Sequence, residues 1–545
     1  MSLETSPVLS VMCALPLLAA GVLMFTPRQE VTAIRRFTLL AMIAVFALSL
    51  CLLGADYSTG ALQFNERYVL LPAHGITYSV GVDGLSLWLV LLTTFITPLA
   101  TYASWTHIDT KLKEYAISML LLESVVLGGF VSLDLFLFFA FWELTVIPVF
   151  LMIGIWGNGR RIRAASKFLL FTVAGSSLML VAILYIAAQF HAQTGHYSFE
   201  LRELKLLLVP ASVQVWLFAA FALAFAIKVP MFPVHTWLPD AYTQAPMAGT
   251  VMLSAVMAKL ATYGFLRFAM PLFPWGSQRA SLALVLLATF GIIYGAYCAW
   301  AQSDLKRVVA YSSVSHLGFV MLGIYSLNSN GLRGAILQMV NHGVTIAALF
   351  LLVGAMDERR KTRKLDEFGG IAKVMPAYAV VLVIVTMSAI GVPTTNGFVS
   401  EFMILAGAFT SGRLAEHGTI AALFAATALF LGPIYLLRLV SKVLWGPLHN
   451  PDNQNLSDLT TRERLVFVPL LALIFYIGLV PNQMLGPMTA SVDRFAVEYT
   501  AKLRASEASP NARAMLDQDY APVDPTPSEP APKERSKFAS TVPRY

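Results

Sequence analysis

Seven ionisable side chains fall inside long apolar runs: Glu123, Glu143, Lys228, Lys259, His316, His342 and Glu401. Insertion scales put a charge at the centre of a membrane-spanning helix at roughly 2.5–3.5 kcal/mol, so such groups are paired or line a polar path. Carboxylates, amines and imidazoles together can hand a proton from one group to the next. Paired structural ions or helix-packing contacts would account for one isolated carboxylate, but poorly for seven groups. Lys228 is the most informative, in Phe225-Ala-Ile-Lys-Val-Pro-Met-Phe-Pro-Val-His-Thr-Trp-Leu-Pro-Asp240. It closes an apolar run, and Pro230 and Pro233 then remove backbone donors and clash with the preceding turn, so the helix must break. A broken helix carrying a cation is tolerated in a membrane only where protein or a water-filled cavity surrounds it.

Glu143 lies in Phe141-Trp-Glu-Leu-Thr-Val-Ile-Pro148 and is expected to pair with Lys228 across helices. At about 4 Å and an effective dielectric near 20 the pair is worth roughly 4 kcal/mol, enough to load or release a proton as the two groups approach or separate. Lys259, Tyr263 and Arg267 recur at helical spacing and predict one polar stripe. His316 and His342 sit in separate apolar runs. A bis-His haem site is one reading of them, while a proton relay or a helix–helix hydrogen bond needs only single imidazoles. Glu401, in Gly397-Phe-Val-Ser-Glu-Phe402, is placed to end a polar route, and His235 and Asp240 either join it or fix the loop after the break.

The elements that position these groups are transmembrane helices. The chain has 545 residues, 57% of them hydrophobic and 13% charged, with a mean hydropathy of +0.68, against roughly 25% charged in soluble proteins. An all-α polytopic membrane protein is predicted. Runs long enough to cross about 30 Å of hydrocarbon cover 7–25, 35–54, 80–104, 115–131, 134–156, 165–188, 213–229, 246–270, 280–300, 307–326, 333–356, 376–410, 419–445 and 465–482, with the seventh and twelfth of these fourteen interrupted. Arg28, Arg35 and Arg36 follow the first run and Glu4 precedes it, the reverse of a signal peptide, so it is read as a retained helix. Basic residues cluster after odd-numbered runs, as at Arg160, Arg161 and Arg163 or from Arg359 to Lys364, which predicts both termini on the outer side. The net charge of +7 follows this topology and gives no reason to expect nucleic acid. Cys13, Cys51 and Cys298 show no metal or disulfide spacing. Neither a dinucleotide glycine fingerprint nor a P-loop is present, so redox chemistry is assigned to other chains. From about residue 505 the sequence turns polar and proline-rich, and a disordered tail is expected over 505–545.

Two stretches repeat. Ala226-Ile-Lys-Val-Pro230 recurs as Ala389-Ile-Gly-Val-Pro393, and Phe150-Leu-Met-Ile-Gly-Ile-Trp156 as Phe319-Val-Met-Leu-Gly-Ile-Tyr325, with Arg163 and Gly175 set against Arg333 and Gly343. The unit contains five helices, so the second copy enters the membrane from the opposite side, the inverted-repeat plan of ion-coupled transporters. The predicted segments are three N-terminal helices (1–110), the two repeats (111–271 and 272–447), a last helix (448–504) and the tail.

At these residues the chain resembles the antiporter-like, proton-translocating membrane subunits of respiratory complex I (NADH:quinone oxidoreductase), of the subunit M or mitochondrial chain 4 type. The resemblance covers roughly residues 80–480 and rests on Phe141-Trp-Glu143, Lys228-Val-Pro230, His235-Thr-Trp-Leu-Pro-Asp240 with Ala245-Pro246, Lys259, Asp304-Leu-Lys-Arg-Val-Val-Ala-Tyr-Ser312, Ser315-His316 and Asn341-His342. It implies that Glu143 and Lys228 form the pair, that Lys259 is the central relay and that Glu401 leads to the exit. Glu401 also favours this type over sister subunits and Mrp-type antiporters, which usually place lysine there; a membrane-bound hydrogenase complex is less well separated. The resemblance further implies a bacterial inner membrane and neighbours that include the other antiporter-like subunits and other membrane-arm subunits. Membrane lipids and protons are implied as ligands, with FMN, iron–sulfur clusters and quinone in partner chains. Tyr242 and Gln244 stand where the family tends to have His and Glu, so that loop is not expected to carry protons.

Overall fold

A computed structural model of the chain describes residues 7–508; the expected tail beyond 508 lies outside the described residues. Helices α1 (Val8–Phe25) and α2 (Val31–Ser49) leave most of their apolar surface uncovered, as lipid-facing helices do. An antiparallel hairpin follows, β1 (Gln63–Leu71) and β2 (Ile76–Val82). The all-α expectation is corrected here, because the apolar run over 80–104 is two elements. Asp83 accepts the N–H groups of Leu85 and Ser86, ending the strand and starting α3 (Leu87–Ala103).

Then come α4 (Leu112–Val131), α5 (Leu135–Leu144), α6 (Val146–Trp156), α7 (Arg161–Thr194), the short α8 (Leu201–Leu204), α9 (Ala211–Lys228) and α10 (Trp237–Gln244). Pro148 cannot donate to the Leu144 carbonyl, and the α5–α6 boundary falls one residue later, at Thr145. A single rod, Met247–Leu272, contains α11 (Met247–Met252), α12 (Ala258–Gly264) and α13 (Met270–Leu272), joined by π turns at Leu253–Met257 and Phe265–Ala269. The chain continues through α14 (Pro274–Trp300), α15 (Leu305–Tyr325), α16 (Ser329–Arg360), α17 (Pro376–Ala389), α18 (Asn396–Phe409), α19 (Ala415–Ala426), α20 (Ala428–Leu444), α21 (Thr461–Leu479) and α22 (Asn482–Glu507).

Among the described residues eleven helices are long and apolar enough to span a membrane, or twelve if α21 and α22, bent by 67°, count together. The difference from fourteen has physical causes: β2 takes the start of the third run, and the twelfth is split into two short helices. Residues 482–504, expected within the last helical segment, turn away as α22. The rod Met247–Leu272 and α16 are enclosed by protein and form the centre of the bundle.

Two aspartates anchor the frame. Asp134 caps α5 by accepting from Phe136 and Leu137, while its other oxygen accepts from the Thr77 N–H and hydroxyl of the hairpin. Asp304 caps α15 through the Arg307 N–H. Each also makes an isolated β-bridge to the segment preceding a later broken helix, Asp134 to Glu200 and Asp304 to Lys364. Replacing Asp134 by alanine removes the cap and the hairpin tie together. The expected cost is about 2 kcal/mol, read as earlier thermal unfolding of the purified protein; an unchanged transition would contradict the anchoring role.

Candidate functional site

The first polar cluster lies at the end of α9. The Met231 N–H reaches back five residues to the Ala226 carbonyl, so Ile227 O loses its usual donor, and the Trp237 indole supplies one at 2.8 Å. The break is thereby made without orphaning that carbonyl. Lys228 is fully buried at this end. Its ammonium stands 3.6 Å from the centre of the Trp142 ring, donates to Thr145 Oγ1 at 2.9 Å and reaches the Trp142 carbonyl at 3.3 Å.

Lys228 thus contacts the residues flanking Glu143 rather than its carboxylate. Trp142 and Thr145 are three apart and share a helix face, whereas Glu143 is turned about 100° from Trp142. Among the described residues, Glu143 Oε1 is buried without a hydrogen-bond partner, as are both oxygens of fully buried Glu123 on α4. Gly128 and Gly129 explain how α4 comes so close to its neighbours. A Cβ on Gly128 would meet the Phe141 ring at 2.5 Å, and one on Gly129 would meet Leu260 at 2.8 Å. Glu123 is therefore carried by a helix wedged between those bearing Glu143 and Lys259.

The second cluster is longer and has two hydrogen-bonded halves. Fully buried Lys259 donates to the Ser254 carbonyl at 2.5 Å and lies 2.7 Å from His342 Nδ1. Ser254 belongs to the first π turn, a widening often found at functional sites. The His342 and His316 rings are 5.6 Å apart between centroids, and His316 Nδ1 is 2.9 Å from Glu401 Oε1. Gln338 donates to the same oxygen at 3.0 Å and accepts from Ser400 at 2.5 Å. Asn341 donates to Ser400 Oγ and to the Asn396 carbonyl, stitching the second break to α16. Gly391 there has φ +73, and a Cβ would press on Glu401 Oε2 at 3.2 Å. The adjoining cavity of about 20 Å³ has room for one water and none for a porphyrin. His342 is thus tied to Lys259 and His316 to Glu401, and the two rings face each other without a direct hydrogen bond among the described residues.

Four features were not anticipated. Gln338, Asn341, His342 and Thr345 form one polar face of α16, and their i, i+3, i+4, i+7 spacing would have revealed it. The predicted stripe on the Lys259 helix divides: Lys259 turns to His342, while Arg267 binds Tyr263 and grips Asp83 with both Nη atoms, at 2.5 and 2.8 Å. Lys306, buried, donates to Ala245 O and Thr250 Oγ1, and Ser254 Oγ donates to Thr250 O. Lys306 and Lys259 are thereby anchored to the same rod, one at the Thr250 hydroxyl and the other at the Ser254 carbonyl. Lys306 also lines a cavity of about 550 Å³ with Asp304, Asp357 and Glu358. No described hydrogen bond joins the Lys228 cluster to Lys259. In the connector, His235 is buried and stacks on Phe232, and Asp240 is paired with Lys167 at 2.8 Å. Asp240 is therefore a loop-fixing ion.

Comparison with known proteins places this geometry in a family. Residues 132–432 match the NADH:quinone oxidoreductase/Mrp antiporter transmembrane family, and residues 11–128 match the amino terminus of NADH-ubiquinone oxidoreductase chain 4. The chain is 42% identical to NADH-quinone oxidoreductase subunit M of Rhodobacter capsulatus, over 91% of this chain and 97% of that one. It is 38% identical to NADH-ubiquinone oxidoreductase chain 4 of Marchantia polymorpha, over 89% and 96%. A chain of respiratory complex I from Thermus thermophilus superposes with a TM-score of 0.81 at 28% identity, covering 90% of this chain and 99% of that one. A chain of the Mrp complex from Dietzia shares the fold at 0.77 and 23% identity, covering 92% and 100%. The chain belongs to the NADH:quinone oxidoreductase/Mrp antiporter membrane family, among its subunit M, or chain 4, members.

Proposed function

We propose that the chain is the proton-translocating membrane-arm subunit of an NADH:quinone oxidoreductase and that its buried polar groups carry the proton. The observation that supports this most strongly is the run Lys259–His342–His316–Glu401, with contacts of 2.7 and 2.9 Å at its two ends. An imidazole accepts a proton on one nitrogen and gives one up from the other, so two of them can bridge an amine donor and a carboxylate acceptor. Lys306, which lines the cavity of about 550 Å³ and donates to Thr250 Oγ1, is a further buried amine. Lys228, with Glu143 and Glu123 nearby, is the titratable group of the first break, and His235 has a weaker claim.

In this reading the fold is a pair of inverted five-helix repeats, 111–271 and 272–447, within fourteen membrane segments. The Asp134 and Asp304 caps support it, being about 170 residues apart with matching β-bridges. The hairpin face and both termini lie outside a bacterial inner membrane. Flavin, iron–sulfur and quinone chemistry belong to partner subunits, among them the other antiporter-like ones. A cation/proton antiporter subunit is the second reading, favoured only by the shared fold of the Mrp chain; a membrane-bound hydrogenase subunit is a third.

Glu401→Gln tests the assignment. Glutamine keeps an acceptor for Gln338 and His316 but cannot take up a proton, so NADH-driven acidification of proteoliposomes holding the assembled complex is expected to fall by about tenfold or more. Unaltered acidification would remove Glu401 from the path. Sodium/proton exchange without NADH would favour the antiporter.

A further inference from the structure

On the hairpin side of the molecule a cavity of about 500 Å³ opens between β1, α8, the end of the rod Met247–Leu272 and α22. It is separate from the relay, and its lining is strongly cationic. Glu200 is shared by Arg67 at 3.0 Å and Arg202 at 3.8 Å. Glu498 is shared by Lys205 at 3.0 Å and Arg494 at 2.8 Å. Each carboxylate therefore balances only one of its two cations, while Arg267 is matched by Asp83. Lys502 adds a further cation: its Nζ is buried and has no hydrogen-bond partner among the described residues. A buried ammonium with three donors is costly unless acceptors complete it. The helix bearing it turns away from α21 and carries charges along its length, outside the spanning segments; burial, and then the Lys205 ammonium, bring the Lys502 pKa down to about 7.

The surroundings of the cavity are apolar. Leu206 and Leu62 line it and are exposed. A cationic cavity with an apolar rim at the head of a spanning helix matches an amphiphile with a negative head and hydrocarbon tails.

We propose that this cavity binds the phosphate headgroup of an anionic phospholipid, with Lys502 as the central donor and Arg202, Arg494 and Lys205 around it. The test uses the assembled complex in phosphatidylcholine vesicles containing a small fraction of photoactivatable phosphatidylglycerol, with crosslinks mapped by peptide mass spectrometry. Labelling of the segments 200–206 and 494–502 is expected, and Lys502→Met is expected to lower it about tenfold through loss of a charge-assisted bond. Lys502→Arg keeps the charge and should retain labelling, which separates loss of the site from misfolding. Equal labelling in Lys502→Met, or equal labelling by a photoactivatable phosphatidylcholine, would overturn the proposal. So would displacement by excess inorganic phosphate, because the site would then be one for the free anion.

Discussion

Replacing Lys259 by arginine is expected to stop proton transport as completely as replacing it by methionine. Arginine keeps the positive charge and can still donate to His342 and to the Ser254 carbonyl, but it does not give up its proton in a protein. A purely structural lysine would be rescued by arginine, so the two variants together separate a relay from a packing role. Methionine removes a fully buried ammonium whose desolvation opposes folding, so the assembled complex should survive that change. In proteoliposomes, NADH-driven acidification should drop by about tenfold or more in both variants, since a lost transfer step raises a barrier by more than about 1.4 kcal/mol. Acidification by Lys259→Arg at the parent rate would refute the relay.

The second large effect is on stability. Asp83 and Arg267 form a buried bidentate pair, and Asp83 also holds the N–H groups that start α3. Removing one partner of such a pair leaves an uncompensated charge and costs about 3–5 kcal/mol. Arg267→Met should therefore sharply reduce the thermal stability and the yield of folded protein. Asp83→Asn combined with Arg267→Met leaves no net charge and keeps an acceptor for α3, and about half of the loss should return. If the double variant unfolds at the same temperature as Arg267→Met alone, the unpaired carboxylate is not the cause.

The comparison between residues and structure follows a physical division. Lys228, Lys259, His316, His342 and Glu401 stood out in the sequence because a charge in an apolar run is costly wherever it lies along the helix. The helix breaks were legible for a similarly local reason, proline's missing donor. What escaped depends on partners distant in sequence. Asp83 sat at the edge of an apolar run, and only its contact with Arg267, 184 residues away, shows its role. Of the hairpin only Val80–Val82 fell in a predicted span, and the rest lay unassigned between runs because its pairing joins β1 to β2. The π turns have no residue signature of their own, yet one places the carbonyl that Lys259 holds. That the Lys228 ammonium sits on Trp142 and Thr145 was likewise illegible, because it depends on how α5 is rotated.

The two β-bridges have a mechanical meaning. Glu200 and Lys364, pinned to the Asp134 and Asp304 caps, each stand just ahead of a helix that later breaks, α9 and the α17–α18 pair. Each broken helix is thus a lever clamped at its root, with its compliance concentrated at the break. A sideways force on the bundle is delivered to the joint and not to the clamp. A displacement of either joint would therefore change the distance between a titratable group and its neighbours: at the first joint that group is Lys228, and beyond the second it is Glu401.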